Sequence, residues 1–216
     1  MKKLHGIYLV LDPSQEWGIL LKKLHSALKG GVQIIQIWNH WEVDISQAEK
    51  LRFINRVKEL AQQFHVSVLM HEDYELALEA DLDGVHFDHM PKNFESIKNS
   101  LKGKYIGMTV GNDPNKIAWA DKQKLAYISF CSMFPSSSVT SCEIVDQQSV
   151  IKAREITDLP IFLSGGISPH NLKALSQLPF SGVAIISGIM SSDNPERAVR
   201  QYLAEIENIQ YQNNLS

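Results

Sequence analysis

The sequence predicts a single (β/α)8 barrel, one domain of the α/β class, and three observations lead there. Short apolar runs rich in Val and Ile alternate with longer amphipathic segments from one end of the chain to the other. Eight such runs can be counted, and 216 residues is a length at which this barrel closes as one unit. Strands apolar on both faces and separated by helices form a parallel sheet through right-handed crossovers. An open doubly wound sheet shares the alternation, but no GxGxxG follows the first run, and the count favours closure.

The first run, IYLVLD at 7–12, leads into a helical segment at 17–28. QIIQIW at 33–38 precedes the clearest helix, 45–64, where Ala48, Leu51, Ile54, Val57, Leu60, Ala61 and Phe64 recur every three or four positions. SVLMHE (67–72) and GVHFD (84–88) are the third and fourth runs, with a helix expected at 93–101. YIGMTV (105–110) and a helix at 114–120 follow, then AYISFCS (126–132) and a helix at 149–156. PIFLSGG (160–166), a helix at 169–175, GVAIISG (182–188) and a helix at 195–206 complete the pattern. The barrel is assigned to 1–210, and 211–216 reads as a frayed tail. One polar loop stands out, MFPSSSVTSCEI at 133–144, whose length favours a lid over a plain connection.

Composition excludes several classes. With 21 basic and 24 acidic residues the net charge is −3, which argues against a nucleic acid as main partner. No run approaches a membrane span, and the first residues lack the long apolar core and cleavage site of a secretory signal. Two cysteines, Cys131 and Cys142, provide no disulfide framework, so a reducing cytoplasm is expected and both read as structural. A homo-oligomer is compatible with all of this.

In a barrel of this kind functional groups gather where strands end and the following loops begin. That rim holds Asp12; Trp38, Asn39 and His40; His71, Glu72 and Asp73; Asp88 and His89; Thr109 and Asn112; and the Ser-rich loop with Ser136 and Ser138. The most specific signal is the pair SGGISPHN (164–171) and IISGI (185–189), each a strand running into glycine. Glycine admits close approach of backbone to ligand, and the loops after strands seven and eight commonly hold phosphate. Gly165, Gly166, Ser187 and Gly188 would then be amide donors; the plainer reading makes the glycines tight turns only. His40, His71 and His89 near Glu72, Asp73 and Asp88 suggest pocket histidines for hydrogen bonding or proton transfer rather than a transition-metal site. His86, between Val85 and Phe87, reads as a satisfied core histidine.

In combination these segments resemble the thiamine phosphate synthase and TenI superfamily over nearly the whole chain. The carriers are YLVLD, GGVQIIQI, ELALEADLDGVHF (whose first part matches the family's third helix), IGMTV, FPSSS, LPIFLSGGISPHN and GVAIISGIM, in the family's order. The resemblance implies a (β/α)8 barrel and a transferase that joins an aminopyrimidine methyl pyrophosphate to a thiazole phosphate with Mg²⁺, releasing pyrophosphate. The TenI branch instead isomerises a thiazole phosphate without metal. Carried over by position, Gly165, Gly166, Ile186 and Ser187 would serve the thiazole phosphate, with Gly188 beside them. Gln36, Thr109, Ser136 and Ser138 would position the pyrimidine and leaving group, with His40 and His71 as candidate proton donors. Glu72 and Asp88 are the candidate Mg²⁺ ligands.

Other positions depart from the family pattern. Trp38 and His40 stand where the synthases have arginine and lysine, Val139 replaces the lid lysine, and His71 and Glu72 replace an Asn-Asp pair. The second magnesium carboxylate falls at Pro91, and the TenI histidine falls at Ser132. Removing one preorganised donor of developing charge costs about 3 to 4 kcal/mol, so the pyrophosphate side is the divergent one. The rival expectations are a metal-independent isomerase, a thiazole or thiamine phosphate-binding protein without turnover, and an unrelated phosphosugar barrel enzyme.

Overall fold

A computed structural model describes residues 4–135 and 143–213. Eight parallel strands follow one another around a closed barrel: β1 (Gly6–Leu11), β2 (Ile34–Ile37), β3 (Ser67–His71), β4 (Gly84–Phe87), β5 (Tyr105–Thr109), β6 (Tyr127–Cys131), β7 (Ile161–Ser164) and β8 (Gly182–Ile185). Closure is made by β8 on β1, with Gly6 opposite Gly182 and Leu9 opposite Ile185.

The helices are α1 (Trp17–Gly30), α2 (Gln47–Gln62), α3 (Tyr74–Glu79), α4 (Phe94–Ser100), α5 (Pro114–Lys122), α6 (Gln147–Ile156), α7 (Ser187–Met190) and α8 (Pro195–Asn213). Local chemistry sets their limits. Ser46 and Glu49 form a reciprocal capping box at the start of α2. Pro114 follows the Asp113 cap of α5, and α1 ends at Gly31 with φ 104°.

Alternation along each strand divides the core in two. Ile7, Leu9 and Leu11 point outward to pack with Leu20, Leu24, Phe53 and Val57 of the helices. Tyr8 and Val10 point inward, where Ile34, Leu69, Tyr127 and Phe162 fill the barrel. The inner space is so tight that a Cβ at Gly107 would fall 2.0 Å from Cζ of Tyr127. Glycine on β5 is therefore what admits the tyrosine ring from β6.

Three expectations change. The segment 169–175 forms only a 3-10 turn, Leu172–Leu175, because the Asn171 side chain is taken by the preceding loop, binding Gly166 O and Ser168 N. The run at 182–188 stops as a strand at Ile185 and becomes α7. The last helix continues through Asn213 into the expected tail, since Tyr202, Ile206 and Ile209 extend one buried face. No helix among the described residues is long and apolar enough to cross a membrane.

Candidate active site

A cavity of about 420 Å³ opens at the end of the barrel where the strands terminate. Its floor is a chain of hydrogen bonds that crosses five strands. Tyr8 on β1 donates its hydroxyl proton to Gln36 Oε1 on β2 at 2.6 Å, and lies 2.8 Å from the Tyr127 hydroxyl on β6. Tyr127 in turn is 2.9 Å from His86 Nδ1 on β4. Burial pushes both phenols well above their ordinary pKa, so each holds one proton. With the Tyr8 proton given to Gln36, Tyr127 donates to Tyr8, and the Tyr127 oxygen accepts from His86 Nδ1–H. Three bonds in one direction thus hold the Gln36 carbonyl and leave its NH2 group as a donor toward the cavity.

On the other side of His86, Nε2 lies 2.9 Å from Thr109 Oγ1 on β5. Thr109 donates to Asp88 Oδ1 at 2.9 Å and is 3.1 Å from Ser129 Oγ. The second carboxylate oxygen of Asp88 is 2.9 Å from His71 Nε2 on β3. Burial opposes ionisation of Asp88, but hydrogen bonding and charge from His71 and His86 outweigh it and hold the carboxyl well below the usual carboxylate range. The cavity wall therefore carries an oriented carboxylate beside histidines.

The opposite wall is built from backbone. Four successive carbonyls after β7 are each anchored from outside: Ser164 O by Met133 N at 2.8 Å, Gly165 O by Phe134 N at 3.1 Å, Gly166 O by Asn171 Nδ2 at 2.9 Å, and Ile167 O by Tyr202 Oη at 2.9 Å. In a trans peptide the N–H points opposite the carbonyl of the preceding residue, so the first three anchors turn the amides of Gly165, Gly166 and Ile167 away from themselves, and these three residues line the cavity. The fourth carbonyl lies opposite Ser168 N–H, which donates to Asn171 Oδ1. Across from them Ile186, Ser187 and Gly188 line the same corner at the end of β8. Gly165 and Gly166 adopt φ 87° and 64°. A Cβ on Gly165 would meet Ser132 Oγ at 1.8 Å. The turn reading of these glycines is thus satisfied, and both glycines also line the cavity.

Gln36, His71, Thr109 and Asp88 line the cavity as expected, together with Trp38 and His89. His40 does not: its Nδ1 is tied to Asp12 Oδ1 at 2.9 Å, and the side chain is 54% exposed. Glu72 is outside the lining; held at φ 61°, it accepts the Asp88 N–H through Oε1. Ser136 and Ser138 lie outside the described residues. Tyr8, Tyr127, Ser129, Asn171 and Tyr202 escaped the reading of the rim, because their roles depend on inward orientation or on partners distant in sequence. His86 is satisfied, as expected, but its partners are the floor of the site.

His71, Glu72 and Asp88 bring potential ligand atoms within 4.8 Å of one another. Mg²⁺ takes oxygen ligands, commonly one or two carboxylates completed by water and phosphate oxygens. Glu72 and Asp88 fit that donor set, each oxygen keeping a second lone pair, while His71 orients Asp88. Among the described residues no Lys or Arg lines the cavity, and the sequence 136–142, SSSVTSC, contains none.

Together these features define a (β/α)8-barrel protein with a rim cavity, one wall of backbone amides and one of titratable side chains. Residues 7–189 match the family model described as thiamine monophosphate synthase, and the chain belongs to that family. It is 29% identical to the thiamine-phosphate synthase of Picrophilus torridus over 96% of this chain and 99% of that one. It is 26% identical to the thiamine-phosphate synthase of Methanobrevibacter smithii over 93% of this chain and 94% of the relative. In fold it is similar to the thiamine phosphate pyrophosphorylase of Pyrococcus furiosus, with a TM-score of 0.79 at 20% identity, over 94% of this chain and 96% of that one.

Proposed function

We propose that the protein is a transferase of thiamine biosynthesis that couples an aminopyrimidine methyl pyrophosphate to a thiazole phosphate, giving thiamine phosphate and pyrophosphate. The observation that carries this reading is the run of anchored carbonyls at 164–166, which turns the amides of the residues that follow them toward a cavity of substrate size. Those amides, with the backbone at 187–188, take the acceptor's phosphate, which fixes the thiazole nitrogen relative to the floor. Gln36, oriented by Tyr8, offers its NH2 to a ring acceptor of the pyrimidine, and Thr109 and Ser129 add hydroxyls. Departure of pyrophosphate leaves a pyrimidine-methyl cation, and the thiazole nitrogen forms the new C–N bond. Mg²⁺ held by Glu72 and Asp88 would neutralise charge on the leaving group. His71 keeps Asp88 ionised and aligned for that purpose.

A second reading is favoured by the absence of Lys and Arg among the described residues of the lining: the site binds a phosphorylated thiazole without releasing pyrophosphate. Incubation with both precursors and Mg²⁺, repeated with EDTA, decides between the two. Thiamine phosphate and pyrophosphate formed in equal amounts, and only with metal, are expected. No product at high enzyme concentration, with thiamine phosphate still bound, would replace the synthase reading with the second one.

A further inference from the structure

One buried hydroxyl touches both glycine-bearing turns of the cavity. Tyr202, on α8, is 1% exposed, and its Oη donates to Ile167 O, in the turn after β7, at 2.9 Å. The same oxygen fills the space a side chain at Gly188 would need, in the turn after β8: a Cβ there would fall 2.2 Å from it. Burial pushes the phenol up to about 12, so it stays neutral and its single proton belongs to Ile167. Phenylalanine would fill the same core volume. What the oxygen adds is a polar link to one turn and a steric stop against the other.

We infer that Tyr202 is a positioning residue for the phosphate corner, its hydroxyl setting the spacing between the turn that carries the amides at 165–167 and the backbone at 187–188. This rests on the reading of that corner as the phosphate site. The amides are held from several sides, but the other anchors bear only on the turn after β7: Met133 and Phe134 from the end of β6, and Asn171 from the same loop. Tyr202 alone among these anchors also meets the turn after β8. Gly188 and Tyr202 are then a matched pair, the missing Cβ of one making room for the oxygen of the other.

Calorimetric titration of the wild type, Tyr202→Phe, Gly188→Ala and the double variant, with thiamine phosphate and with thiamine, tests this. The difference between the two ligands isolates the phosphate. Tyr202→Phe leaves a buried carbonyl without its donor and should weaken thiamine phosphate about five- to tenfold, with thiamine binding unchanged. Gly188→Ala should weaken thiamine phosphate further. Adding Tyr202→Phe to Gly188→Ala should restore part of the loss, since without the oxygen the nearest atoms to the new Cβ are 3.2 Å away. Equal effects of Tyr202→Phe on both ligands, no effect on either, or the same penalty for Gly188→Ala in both backgrounds would overturn the inference. A wild type that binds thiamine as tightly as thiamine phosphate would instead refute the phosphate corner itself.

Discussion

Replacing Tyr127 with phenylalanine keeps the ring that fills the barrel and removes an oxygen that serves two partners. His86 Nδ1 loses its acceptor at 2.9 Å, and Tyr8 loses its donor at 2.8 Å. Each buried polar group left unpaired costs about 1 to 3 kcal/mol, so the variant should lose roughly 2 to 4 kcal/mol, allowing for the weaker demand of an oxygen that still donates. Tyr8→Phe likewise orphans two groups, Gln36 Oε1 and the Tyr127 proton. The double variant orphans only His86 Nδ1 and Gln36 Oε1, because the hydrogen bond between the two tyrosines disappears from both sides at once. Its cost should therefore approach half the sum of the single costs, a coupling of about 2 to 4 kcal/mol. Urea unfolding of the four proteins at neutral pH measures the cycle, with equal denaturant slopes as the condition for comparing them. Additivity within about 0.5 kcal/mol would refute the one-directional chain through His86, Tyr127, Tyr8 and Gln36.

Gly165→Ala combines a backbone and a steric penalty, and Gly103→Ala isolates the first, since Gly103 has φ 85° with nothing within 4 Å of its Cβ position. The Gly103 variant should lose about 1 to 2 kcal/mol and the Gly165 variant a further 1 to 3 or so from the contact with Ser132; equal losses in urea unfolding would show that the turn moves freely. Asp88 gives a pH signature. Its folded pKa is depressed by the histidines, so its stabilising contribution is complete above the ordinary carboxylate pKa and fades as pH falls toward the folded value. Asp88→Asn should flatten the acid limb of the stability curve below about pH 4, and an unchanged acid limb would mean that the pairs with His71 and His86 do not persist in solution.

Apolar runs located all eight strands because a parallel sheet covered by helices is apolar on both faces. The same property hid the floor of the site. In IYLVLD nothing marks Tyr8 as inward and Leu9 as outward, so neither Tyr8 nor Tyr127 declared itself, although both project into the barrel. Helix α2 was legible from more than four turns of period, whereas the six residues of α3 are too few for a period to emerge and were reached only through resemblance. The glycine pair was legible because φ of 87° and 64° excludes most other residues. Its anchors were not, since Tyr202 stands 35 positions from Ile167 and sequence spacing is silent about such contacts. His40 shows the limit at the rim: the end of a strand can be predicted, but the turn of a loop side chain toward Asp12 cannot.

The two walls of the cavity differ in how they can evolve. A corner made of amides depends on the anchors behind it, so it tolerates changes in the side chains across the cavity. The side-chain wall carries the Asp88 carboxylate, and no Lys or Arg among the described residues lines it. At an effective dielectric constant near 20, two like charges about 4 Å apart repel by roughly 4 kcal/mol, so Asp88 alone would disfavour each nearby anionic oxygen. On the proposed reading a cation offsets that repulsion, and Glu72 and Asp88 are the groups proposed to hold it. The proposed metal dependence then follows from one electrostatic balance: the fewer permanent charges the lining supplies, the more of the leaving group's charge must be met by an ion that arrives with it.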